Sequence, residues 1–114
     1  MPPDDSVERI RHMLAIAKEV MQFAAGKSYA DLLDDRGLQY ICVHCLELLG
    51  EAAGRVDQSI QDRHPEVPWR PIIAMRHRLI HGYADIELSF VWSTIRDDIP
   101  LLIPQLRTLL SGGQ

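Results

Sequence analysis

The chain has 114 residues, enough for one domain around one core. Apolar residues make up 46% and charged residues 25%, which excludes a disordered chain, and no apolar run approaches the roughly 20 residues of a membrane span. A net charge of -4 argues against a general nucleic-acid coat, which takes a positive surface.

The first residues, MPPDDSVER, are acidic and lack an apolar signal core, so no export signal is expected. With two cysteines in the chain, the expectation is a reducing cytoplasm. Asp5-Ser-Val-Glu8 has the form of a capping box and predicts the start of a first helix. Val7, Ile10, Leu14, Ala17, Met21 and Ala24 then recur at helical spacing, and Gly26 supplies a stop. Ser28-Tyr-Ala-Asp31 predicts a second cap and a short helix through Leu32 and Leu33. A third helix is predicted from Asp35 to about Asp62, with Leu38, Ile41, Cys45, Leu48, Leu49, Ala52, Val56 and Ile60 on its apolar face. Gly50 and Gly54 inside it predict close approach by a neighbouring helix.

His64-Pro-Glu-Val-Pro-Trp-Arg-Pro71 is the main break, since three prolines cannot continue a helix. Pro71 suits the first turn of a helix that runs to about His81 and stops at Gly82. Asp85 can cap a last helix from about Ile86 to Leu110, which Pro100 and Pro104 should kink or divide. The tail, residues 111–114, is expected to be mobile. The expected fold is a single all-α domain over residues 1–114, an antiparallel bundle of four to five helices.

The segment Met75-Arg-His-Arg-Leu-Ile-His-Gly-Tyr83 concentrates the chemistry. No acid lies between Glu66 and Asp85, although Arg70, Arg76, Arg78, His77 and His81 do. Arg76, His81 and Tyr83 form R-x4-H-x-Y. At 100° per residue, Arg76 and Tyr83 lie about 20° apart on one helical face, whereas His81 lies about 140° from Arg76. Those two converge on one ligand only if the helix opens near Gly82 or if a second copy faces the first across a two-fold axis. Such a cleft suits RNA cleavage by the substrate's own 2'-hydroxyl. Histidine can act as base or acid near neutrality, and arginine supplies preorganised positive charge without a metal. A basic helix end with a packed tyrosine is the blander alternative.

Four segments carry a resemblance to a known family: Leu46-Glu-Leu-Leu-Gly-Glu-Ala52, Pro65-Glu-Val-Pro-Trp69, Met75–Tyr83, and Val91-Trp92. In this order they resemble the HepT-like (DUF86) toxins of the HEPN superfamily. The resemblance implies an all-helical homodimer and a metal-independent ribonuclease site on Arg76 and His81, with no cofactor. It implies RNA as substrate, with tRNA as the family analogy. It also implies a partner, a minimal nucleotidyltransferase antitoxin that transfers AMP to Tyr83 and could build a larger hetero-oligomer. The residue after the motif arginine, most often Asn in these toxins, is His77 here. Whether His77 orients the cleft or shares proton transfer stays open.

Glu51 lies in the resembling segment and either orients an arginine or the backbone near the cleft, or is a solvated helix carboxylate. Arg78 is read as a supporting cation. Cys42-Val-His-Cys45 could suit metal or redox use, but both cysteines fall mid-helix near the apolar stripe, which favours core packing. Trp69 and Trp92 read as core anchors, and Asp97-Asp98 as a cap or bend. The rival to a ribonuclease is a catalytically inactive HEPN-like module that only pairs with the nucleotidyltransferase; the intact R-x4-H-x-Y favours the enzyme.

Overall fold

The structure is a computed structural model that describes residues 3–81 and 87–112, with the backbone alone for Pro3, Asp4, Ile80 and His81. It is all-α, as expected, with no strand among the described residues. The elements are α1 (Pro3–Ala24), α2 (Tyr29–Asp34), α3 (Arg36–Gly54), α4 (Gln58–Arg63), α5 (Trp69–His81), α6 (Leu88–Ser93), a π-helical turn (Thr94–Asp98) and α7 (Ile99–Leu110). Helix α3 is central, packed between α1 and α5, and α7 covers α1. No helix of the described residues is long and apolar enough to cross a membrane.

Helix α1 begins at Pro3, so Asp5 lies inside it rather than capping it. Ser6 is instead fully buried, and its Oγ accepts a 2.9 Å hydrogen bond from the Asp57 amide. That bond ties the start of α1 to the far end of α3, so the two helices are antiparallel. The buried face of α1 is centred on Ile10, Met13, Ala17 and Val20, with Leu14 and Met21 at its margin. Gly26 ends the segment in the left-handed region at φ 73°, which a residue with a Cβ rarely adopts. The capping box at Ser28 and Asp31 is present in both directions. The Ser28 amide and hydroxyl hold the Asp31 carboxyl below its ordinary range.

Helix α3 starts where expected, and Asp35 caps it, its side chain accepting from the Leu38 amide. The predicted long helix to Asp62 is divided, however. After Gly54 the Arg55 and Val56 amides tighten onto Ala52 and Ala53 carbonyls, and Val56 turns into the core. The Gln61 side chain donates to the Val56 carbonyl, an acceptor that the break would leave open, and also reaches the Ala53 carbonyl at 3.4 Å. A polar side chain seven residues past the glycine thus stabilises a break that hydrophobic periodicity does not reveal.

Helix α5 starts two residues before Pro71, which falls in its first turn. Trp69 is buried and its Nε1 donates to the His64 carbonyl, closing the proline-rich loop. Trp92 packs against the core from its edge. The last helical segment is divided just ahead of Pro100, as expected, whereas Pro104 lies inside α7. The Ile99 amide bonds the Thr94 carbonyl, five residues back, while the Thr94 and Ser93 hydroxyls both donate to Phe90 O. The backbone therefore widens into a π turn just before Pro100, whose missing donor falls in the first turn of α7. Asp97 and Asp98 sit in this turn, Asp97 pairing with Arg96. Gly82 and Asp85, the predicted stop and cap, lie outside the described residues.

Candidate active site

Arg76 is placed by a glycine. A Cβ built on Gly50 would lie 2.5 Å from the Arg76 Cβ and 2.9 Å from the Ile72 carbonyl oxygen. Only a hydrogen at that position lets α5 lie so close on α3, so the small-residue reading holds for Gly50. Nothing lies within 4 Å of such a Cβ on Gly54, which ends its helix instead. Arg76 is half-buried and has no ion-pair partner among the described residues. Its charge is therefore available to an anion.

Helix α5 continues without interruption from Arg76 to His81. The two Cα positions keep the angular separation of about 140° expected of a regular helix, with about 7.5 Å of rise between them. The helix does not open before His81. The side chain of His81, and Tyr83 as a whole, lie outside the described residues.

The remaining predicted residues divide between faces. His77 is exposed on α5. Arg78 points toward α6, where it pairs with Glu87 and its guanidinium stands 3.8 Å above the Phe90 ring. It joins α5 to α6 and is not gathered with Arg76. Glu51 does engage an arginine, but that arginine is Arg55, at 3.2 Å one turn along α3, with both side chains substantially exposed. Both line a small cleft of about 110 Å³ with Arg9 and His12 of α1. Sequence reasoning missed this α1–α3 group because its polar members on the two helices lie about 40 residues apart.

Cys42 and Cys45 are buried in the core. Burial raises both thiols, with Glu19 and Cys42 adding to the effect on Cys45, which reaches about 11. Thiols this reluctant to ionise are poor metal ligands and nucleophiles. The core-packing reading of C-x-x-C agrees with this.

The all-α bundle is of the HEPN type. The chain belongs to the HepT-like family: the family model described as "Ribonuclease HepT-like" matches residues 13–109. The chain is 33% identical over 98 residues to "Probable ribonuclease HepT" of Thermococcus cleftensis, covering 86% of each chain. It is 32% identical over 101 residues to "Putative RNase TTE0752" of Caldanaerobacter subterraneus, covering 89% of this chain and 90% of the relative. A third relative, "Putative RNase MJ0125" of Methanocaldococcus jannaschii, is 27% identical over 100 residues, 88% of this chain and 86% of its own. No solved structure matches the chain.

Proposed function

We propose that the protein is a metal-independent endoribonuclease whose site is built on Arg76 and His81 at a homodimer interface. The observation that carries this reading is an arginine without an ion-pair partner among the described residues, seated against Gly50 on a helix that runs on to His81. The family match over residues 13–109 supports it, because it spans the whole R-x4-H-x-Y motif.

In this mechanism the 2'-oxygen of the RNA attacks the adjacent phosphorus and gives up its proton to one imidazole. Arg76 stabilises the charge that accumulates on the phosphorane oxygens. The bond from phosphorus to the 5'-oxygen breaks, and that oxygen takes up the proton from the imidazolium just formed. The products are a 2',3'-cyclic phosphate and a 5'-hydroxyl. Because α5 separates Arg76 and His81 by about 140°, the second copy of the segment supplies the facing groups.

Within this proposal the protein is the toxin of a type VII-like toxin–antitoxin pair in the cytoplasm. A minimal nucleotidyltransferase neutralises it: the Tyr83 phenol oxygen attacks the α-phosphorus of ATP, pyrophosphate leaves and the phenolic proton passes to solvent. The AMP phosphodiester then presents an anion and bulk at the cleft.

The test is to incubate purified protein with RNA, with and without EDTA. Cleavage with EDTA present, 2',3'-cyclic ends by mass spectrometry, and loss of activity in folded Arg76→Ala and His81→Ala are expected. Loss of at least 100-fold fits removal of an acid–base or electrostatic group. Activity abolished by EDTA would refute the metal-independent mechanism. Modification and silencing that persist in Tyr83→Phe would refute the switch.

A further inference from the structure

The exposed face of α3 carries a second feature, beside the end of α5. Arg36, Tyr40, Val43, His44, Glu47 and Leu88 line a groove of about 570 Å³. Tyr40 is 64% exposed, so its ring is not there for core packing. The Arg36 guanidinium lies 5.9 Å from the ring centroid, and its Nε donates a 3.1 Å hydrogen bond to the Tyr40 hydroxyl. This bond holds the ring by one edge. His44 follows one turn later on the same face.

The groove is level with the helix end that bears the motif. Gly50 of α3 lies against Ile72 and Arg76, while Leu88, just beyond the Arg78–Glu87 pair, reaches the groove with Arg36 to Glu47. Helices α3 and α5 therefore run antiparallel, and the five residues from Arg76 to His81 advance about 7.5 Å toward the groove.

We propose that this groove is a nucleobase subsite for single-stranded RNA, with Tyr40 as the stacking platform. The inference rests on the ribonuclease reading and adds the substrate class. An exposed aromatic ring braced by an arginine is how proteins hold unstacked bases without demanding a sequence. Bases paired in an A-form helix do not expose a face for it. Glu47 separates a base from a phosphate as occupant: its carboxylate repels an anion but accepts hydrogen bonds from an exocyclic amine. Arg36 and His44 flank the ring and suit the backbone entering and leaving the groove.

The test uses a single-stranded RNA that is 2'-O-methylated, hence uncleavable, and carries 2-aminopurine. Stacking on Tyr40 should quench its fluorescence in the wild type. Tyr40→Ala should bind about tenfold or more weakly and lose the quench, and Tyr40→Phe should retain both. On cleavable RNA, KM should rise in Tyr40→Ala with kcat little changed, and a fully base-paired duplex should be a poor substrate. Wild-type quenching without cleavage would overturn the ribonuclease reading and leave the subsite standing. Cleavage with unchanged affinity in Tyr40→Ala would overturn the subsite and leave the ribonuclease standing. A Tyr40→Ala chain that turns monomeric in sedimentation, with unchanged affinity per chain, would assign the face to a second copy instead and overturn the subsite.

Discussion

Gly50→Ala should injure activity more than stability. The added Cβ would sit 2.5 Å from the Arg76 Cβ, about 0.9 Å inside the 3.4 Å at which ordinary contact begins. It would also lie 2.9 Å from the Ile72 carbonyl oxygen, a backbone atom that cannot rotate away. Helix α5 must therefore move as a unit by nearly that distance. Overpacking of this kind costs about 1–3 kcal/mol, and the better helix propensity of alanine returns about 1 kcal/mol. The net loss is about 0–2 kcal/mol, a fall in Tm of at most roughly 10 °C for a domain of this size. A displacement of about 1 Å at a catalytic group costs on the order of 100-fold in rate. Gly54→Ala is the matched control, because nothing lies within 4 Å of its Cβ. Thermal unfolding and RNA cleavage of both variants give the comparison. A Gly50→Ala protein as stable and as active as Gly54→Ala would refute the claim that this contact seats Arg76.

What the sequence made legible followed from local signals. The cap at Ser28, the start of a helix near Asp35 and the stop at Gly26 each depend on residues within one turn. The burial of Cys42, Cys45 and Trp69 followed from apolar spacing. The misread features depend on distant partners. Asp5 does not cap α1, which begins at Pro3, and Ser6 next to it bonds Asp57, 51 residues away. The division of α3 from α4 needs Gln61 folded back onto Val56 and Ala53. Apolar periodicity continues across that break, since both Val56 and Ile60 are buried, so it could not signal one.

The site was legible as a motif and only partly as a place. Spacing gave the face of Arg76, and the pair of glycines gave a close helix contact, but not that Gly50 and Arg76 were its two sides. Arg78 looked like a member of the cluster by its number, yet helical geometry sets it about 160° from Arg76, and Glu87 and Phe90 engage it there. The exposed Tyr40 went unnoticed because a lone aromatic on a polar stripe has no periodicity. Its meaning comes from Arg36 at its hydroxyl edge and from the groove it shares with Leu88.

Three further expectations follow from the same contacts. Ser6→Ala leaves the half-buried Asp57 amide without its partner, so urea unfolding should show a loss of about 0.5–1.5 kcal/mol with RNA cleavage per folded molecule unchanged; an unchanged midpoint would refute the role of the bond. Burial raises the Cys45 thiol from its ordinary 9.0 to about 11, so its neutral form stabilises the fold fully below pH 9 and that contribution disappears as pH rises through 11. Urea midpoints should fall over that range in the wild type and less in Cys45→Ala, and equal slopes would contradict the burial argument. The last expectation concerns the two-fold site. Inactive Arg76→Ala and His81→Ala chains, mixed in equal amounts and allowed to exchange, should form about half mixed dimers. Each mixed dimer has one intact arginine on one copy and one intact histidine on the other. If the roughly 140° between these residues on α5 is bridged by the facing copy, such dimers contain a composite site and cleavage should reappear above either parent. If one chain alone holds both groups, no mixed dimer contains a complete set. Confirmed subunit exchange by native mass spectrometry with no recovery of cleavage would therefore refute the shared cleft, whatever the dimer's stability.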